Sequence, residues 1–374
     1  MIKLFSTDDH LLEPPELWQT RLPAKYQDVC PRLIEDEDGL KWLVEDRQVS
    51  MPLRNEFVGG RQDDAPMGMQ EQPLRREDLL PEYYDASARA EVLRKDGLIG
   101  SICFPTLPKF SGTLFLDFKD KELAGECVGA WNDFVFDEWC AAEPSFYVPM
   151  TLVSLWDPER AAQEIRTNAA RGGRAVSLPE NPVPLGLPSF FSESWDPMWR
   201  AIEETDTVVC MHVATSGQLT FPSPEIPWSA AIILVQANAA SCFINLLFSP
   251  ILRKFPKIQF VLSEGGISWV PALLERADRM LEIHTRWDDG ARIEHTPTEI
   301  FQRNFTACMV VEPVAVELRH RVGIDRITFE TDFPHAETTY PNTQPQVEKL
   351  FAGVPQDEVE AMASGNAMRL FRWT

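Results

Sequence analysis

The stretch that decides the fold runs from Tyr147 to Pro179: YVPMTLVSLWDPERAAQEIRTNAARGGRAVSLP. Two apolar, β-rich runs, YVPMTLVS (147–154) and GRAVSLP (173–179), enclose one stretch of helical composition. That stretch opens on Asp157-Pro158, a helix-start pair, and closes on Gly172-Gly173, a helix-stop signal. Two strands with a helix between them cannot close as a hairpin; they pair in parallel through a crossover. Outward in both directions the same unit recurs. The further runs are IKLFSTD (2–8), IGSICFP (99–105), TVVCMHVA (207–214), IQFVLSEG (258–265), FTACMVVE (305–312) and RITFETD (326–332). Asp196-Pro197 and Glu312-Pro313 open further helices in the same way. The runs are almost continuously apolar, as expected of strands covered on both sides. Eight such units predict an α/β fold, a closed (β/α)8 TIM barrel occupying 1–374 as one domain. An open doubly wound sheet would need a glycine-rich phosphate turn after its first strand, and TDDHLLEPPE has no glycine.

Two segments depart from the repeat. Residues 13–85 are rich in Pro, Arg, Asp and Gly and read as a long insertion after the first strand, with a small hairpin around Leu40 to Val49. Leaving the C-terminal end of that strand, the insertion would overhang the face where barrels carry their chemistry, as a lid. The end of the chain, QVEKLFAG (346–353) and PQDEVEAMASGNAMRLFR (355–372), reads as closing helices.

Composition narrows the partners. There are 35 Lys+Arg against 57 Asp+Glu, a net charge of −22, which argues against nucleic acid and anionic membrane. Seven cysteines are scattered without a CxxC pair, several inside apolar runs, as in a reduced cytoplasmic protein. The start, MIKLFSTDDH, shows no secretory pattern. SAAIILVQANAASCFINLLFSPIL (229–252) carries no charge and has the length of a bilayer span. With Gln236, Asn238 and Asn245 in its middle and Pro250 near its end, it is expected instead as a helix buried on most sides, and a homodimer is expected to form through it or a neighbouring helix.

Chemistry collects at the strand ends. In a strand, residues i and i+2 share a face, so Asp8 and His10 project together. His212 ends the fifth run and Asp332 the eighth. Two carboxylates and two imidazoles converging on the C-terminal mouth of a barrel make a four-ligand site for one divalent metal ion, with a position open for water or substrate. Zinc and manganese are the expected ions, with no organic cofactor. His335, three residues past Asp332, is placed to reach the site and touch a substrate. His284, His295 and His320 lie among charged residues and read as solvated.

The start STDDHLLEPPELW, the histidine of the fifth strand, the segment FVLSEGGISWVPALLERADR and the ending ITFETDFPH together resemble the amidohydrolase-related family of the aminocarboxymuconate semialdehyde decarboxylase type. The resemblance covers essentially the whole chain and is thinnest over the insertion. It implies a barrel with one catalytic metal, with Asp8, His10, His212 and Asp332 matching the family's ligands. It also implies non-oxidative decarboxylation of an aromatic or unsaturated acid, or else a hydrolase of amide or lactone, or a hydratase, working through a metal-bound water. Many members carry a His-x-Gly histidine after the sixth strand. Here that stretch is Ser263-Glu264-Gly265-Gly266, so Glu264 is either the acid or base in its place or a structural partner. The implied catalytic set is therefore Asp332, Glu264 and His212, acting on a small-molecule carboxylate held by Arg54 and His335. Arg61, in the same insertion as Arg54, reads as solvated.

Overall fold

The computed structural model describes residues 1–50, 74–219, 222–288 and 293–373. Strand β1 (Leu4–Leu11) is followed by β2 (Arg32–Asp36), β3 (Gly39–Val44) and β4 (Arg47–Ser50), which form a small antiparallel sheet of their own. The remaining strands are β5 (Leu98–Pro105), β6 (Met150–Thr151), β7 (Ala175–Pro179), β8 (Val208–His212), β9 (Phe260–Ser263), β10 (Phe305–Met309) and β11 (Ile327–Phe329). With β1 they make one parallel eight-stranded sheet in the order β5-β1-β11-β10-β9-β8-β7-β6. Its two edges meet at Ser101, whose N–H donates to Phe146 O at 2.9 Å and whose carbonyl accepts from Val148 N–H at 3.0 Å, so the sheet closes into a (β/α)8 barrel.

Local chemistry explains where the elements fall short of the apolar runs. The run 147–154 pairs as β6 only over Met150–Thr151 because Pro149 has no N–H to give to a ladder. The run 326–332 leaves the regular ladder after Phe329, with Glu330 N–H still donating to Met309 O (3.0 Å) and Asp332 N–H to Asp8 O (2.9 Å), and by Asp332 the backbone has turned into the left-handed region (φ 53°). The helix Pro158–Ala170 is capped as its sequence requires, Asp157 accepting Arg160 N–H at 3.1 Å. Asp196 does not cap its helix; its carboxylate goes to Lys254 Nζ at 2.8 Å. Glu312 does not cap either, and receives the N–H groups of Ile267 and Ser268, each at 3.0 Å.

Side chains such as Phe5, Ile102, Phe104, Met150, Val208 and Val261 fill the barrel interior, and Phe371 packs with this cluster. A larger apolar layer lies between strands and helices. All seven cysteines are buried and unpaired. The segment 229–252 is divided into helices Trp228–Ile233, Val235–Phe248 and Ile251–Lys254. Burial on most sides does not hold for it within one chain: only 33% of its most apolar window is buried, because Ala239, Cys242, Phe243, Leu246 and Leu247 turn inward while Ile233 is 77% exposed.

Between β1 and the next barrel strand, Trp18 packs edge-on against Trp42 of β3 and donates through Nε1 to Cys127 O at 3.1 Å, tying this segment to the barrel's helical layer. The expected hairpin is the β3–β4 pair. Arg54 and Arg61 lie outside the described residues.

Candidate metal centre

The register of β1 against β5 shifts between Ser6 and Asp9, and its polar residues part there. Asp9 points one way into a dense cluster: its carboxylate accepts from Ser6 Oγ (3.0 Å), Ser101 Oγ (2.5 Å), Thr331 Oγ1 (2.6 Å) and Phe333 N–H (3.0 Å). Asp8 and His10 point the other way. His10 Nε2 lies 3.5 Å from Asp8 Oδ1, 3.3 Å from Asp332 Oδ1 and 3.3 Å from His212 Nε2, and His212 Nε2 lies 3.4 Å from Asp8 Oδ2. All four side chains are buried. Ligands about 2.1 Å from a tetrahedral cation stand about 3.4 Å from one another. His10 Nε2 is at that spacing from Asp8, His212 and Asp332, and the buried donors fall into two sets that share His10, Asp8–His10–His212 and His10–Asp332–His335.

Two further features fit a cation. Among the described residues, neither oxygen of Asp8 receives a hydrogen bond, although the residue is wholly buried. A bare buried carboxylate is costly without a positive partner. His212 Nδ1–H donates to Val213 O at 2.7 Å, which leaves Nε2 facing Asp8 and His10. The residues present therefore fit a divalent metal ion.

Protonation states agree. Burial pushes Asp8 well above the usual carboxylate range, and Glu330, Asp332, Glu264 and Asp9 push in the same direction. A divalent ion would reverse that crowding. Burial, with the neighbouring His335, drives His10 well below its ordinary value, and burial takes His212 to about 4. Both imidazoles are thus neutral near pH 7, as ligands must be. Burial would raise Asp332, but His335 and His10 overrule it and hold it well below the usual range.

A ring of other side chains surrounds the four. His335 Nδ1 is 2.9 Å from Asp332 Oδ1, and its ring stacks on His10 at 3.8 Å. Glu264 Oε2 lies 3.3 Å from His212 Nε2, and the Glu264 side chain is 20% exposed, the most accessible acid at the centre. Both Glu264 (φ 54°) and Asp332 (φ 53°) are in the left-handed backbone region, at a cost of about 1–2 kcal/mol each, which the surrounding contacts sustain. The N–H of Glu264 donates to Glu330 Oε2 at 3.2 Å. Sequence reading brought Asp8, His10, His212, Asp332, Glu264 and His335 to this place. It did not single out Glu330, Phe104 or Phe110. Glu330 had a visible signal, an acid inside an apolar strand run two residues before Asp332.

A family model described as "Amidohydrolase" matches residues 55–373. The chain belongs to the amidohydrolase family. No curated protein sequence matches this amidohydrolase significantly. Solved structures share its barrel. One is an amidohydrolase from Mycobacterium avium subsp. paratuberculosis K-10, 22% identical, with a TM-score of 0.76 over 99% of each chain. A second is 5-carboxyvanillate decarboxylase from Novosphingobium aromaticivorans DSM 12444, solved with manganese and 4-hydroxy-3-methoxy-5-nitrobenzoic acid; it is 16% identical, with a TM-score of 0.67 over 99% of this chain and 96% of that one. A third is 2,6-dihydroxybenzoate decarboxylase from Rhizobium, 16% identical, with a TM-score of 0.64 over 100% of this chain and 99% of that one.

Proposed function

We propose that this amidohydrolase is a metal-dependent, non-oxidative decarboxylase of an aromatic or unsaturated carboxylic acid. The observation that carries the reading is the bare, buried Asp8 carboxylate at ligand spacing from two neutral imidazoles, one of which stands at the same spacing from Asp332. Two barrels of the same fold, named for decarboxylation of aromatic acids and in one case holding manganese beside a nitrobenzoate, support it. Asp8, His10, His212 and Asp332 would hold manganese or zinc, which when bound supplies a Lewis acid for the substrate carboxylate and an adjacent oxygen.

The chain's own groups handle the proton. Asp332, ionised at rest, takes a proton from His335 and passes it to the carbon bearing the carboxylate; that carbon then loses CO2, and the bonding pair returns to the conjugated system. His335, 2.9 Å from Asp332, is placed to return a proton to it. Glu264, partly exposed and beside His212, is a second acid or base on the open side. Arg54 and His335 are the proposed partners of the substrate's own charge.

The test is turnover of hydroxybenzoic and enoic acids by the manganese- or zinc-loaded protein, followed by CO2 release and by entry of solvent deuterium into the product. His212→Ala and Asp332→Ala should lose both metal and activity. Oxygen from labelled water in the product, with no CO2, would move the assignment to hydrolysis or hydration. A wild-type protein that takes up neither ion would end the reading.

A further inference from the structure

We infer that Phe110 is the specificity-determining wall of the substrate site and selects flat, conjugated acids over saturated ones; this rests on the decarboxylase reading for the kind of substrate, though not for the binding it describes. The ring of Phe110 lies 4.5 Å from that of His10 and 4.4 Å from that of His212, so one aromatic face spans two of the four ligand side chains. Phe104 also touches both imidazoles, at 5.9 and 4.9 Å, but is wholly buried inside the barrel. Phe110, unlike Phe104, is only partly buried. A substrate carboxylate directed at the ligands would therefore bring its attached carbon skeleton alongside that ring.

The loop that carries Phe110 is built to keep it there. Lys109 (φ 59°) and Phe110 (φ 49°) are consecutive non-glycine residues in the left-handed region, where side chains larger than glycine are disfavoured. Such a conformation persists only where the surroundings over-determine it, and those surroundings are visible. Glu13 accepts the N–H groups of Thr106 (3.0 Å) and Leu107 (2.9 Å), and Thr106 Oγ1 donates to Leu11 O at 2.7 Å. From the other side Ser177 Oγ, on β7, donates to Phe110 O at 2.7 Å. The loop is thus fastened to the exit of β1 and to β7, with its strained residue at the metal centre. Packing alone would not require this strain, since Phe104 reaches the same imidazoles from a regular strand. A fixed aromatic face rewards a planar π-system that can stack on it and gives less to a puckered ring.

The experiment measures binding to manganese-loaded protein by titration calorimetry, with 4-hydroxy-3-methoxy-5-nitrobenzoic acid as the flat probe and cyclohexanecarboxylic acid as the saturated one. Wild type should favour the flat acid. Phe110→Leu should weaken the flat acid about tenfold, the factor that corresponds to about 1.4 kcal/mol, while leaving the saturated acid and the manganese content unchanged. Phe110→Tyr, which keeps the ring, should restore the preference. Equal binding of the two acids by wild type, or equal binding of the flat acid by wild type and Phe110→Leu, overturns the inference. So does an equal loss of both acids in Phe110→Leu. If the protein releases no CO2 from any acid yet shows the predicted discrimination, the decarboxylase reading falls and the role of Phe110 stands.

Discussion

Replacing Asp8 by Asn should have opposite effects on stability with and without metal. Asp8 is fully buried, accepts no hydrogen bond among the described residues, and is crowded by Glu330, Asp332, Glu264 and Asp9. Without a cation its charge is a liability. Asn removes the charge and brings an amide that can donate to the surrounding carboxylates, so the chelated Asp8→Asn variant should gain about 1–3 kcal/mol over chelated wild type. For 374 residues the unfolding entropy is about 0.8 kcal/mol per kelvin, so Tm should rise by about 1–4 °C. With metal the order reverses. An ion at a thousand times its Kd adds about 4.1 kcal/mol to wild type, or about 5 °C, and little to a variant that has lost a charged ligand. Scanning calorimetry of both proteins, chelated and in excess manganese or zinc, with metal content measured in parallel, gives all four values. A chelated Asp8→Asn that melts below chelated wild type, or one that retains stoichiometric metal, refutes the reasoning.

Three other outcomes are expected. Burial raises Glu13 to about 7 against the pull of the Leu107 and Thr106 N–H groups and the Trp131 indole. Its folded value lies above its unfolded one, so the fold keeps a proton that the unfolded chain has released; this stability is present below about pH 4.5 and lost as pH rises through 7. The Tm gap between wild type and non-titrating Glu13→Gln should therefore narrow from pH 5 to pH 8, and a widening gap contradicts the assignment. Arg89 is wholly buried, donates to Glu82 O (2.6 Å) and Tyr83 O (3.1 Å), and lies over the rings of Trp139 and Phe333. Arg89→Ala should cost about 3–5 kcal/mol, lowering Tm by about 4–6 °C in a thermal melt. Sedimentation should show a homodimer at micromolar concentration, using the outward side of 229–252; a monomer would exclude it.

Particular residues show how far the chain could be read. Asp8 and His10 were legible because strand alternation is strictly local: two positions apart means one face, whatever the rest of the chain does. His335 was legible by its distance from Asp332 along the chain. What Asp9 meets was not, since its partners are remote along the chain. Its cluster is assembled from Ser101, Thr331 and Phe333, as far as 324 residues away. Phe110 was hidden among 22 phenylalanines, because its distinction is a left-handed backbone enforced by Glu13 and Ser177. Helix starts were read in part: Asp157 caps its own helix, whereas Asp196 and Glu312 are taken by partners remote in sequence.

Sequence by itself determined the repeat of strand and helix, hence the parallel barrel, and which acids and imidazoles stand at strand ends. Both follow from period and neighbour chemistry, which act over a few residues. Tertiary structure alone decided that those ends meet at ligand spacing, that Asp8 is left bare while Asp9 is satisfied, and that one strained ring is held against two imidazoles. Those outcomes depend on barrel closure, which sets distances between groups that the chain separates by hundreds of residues.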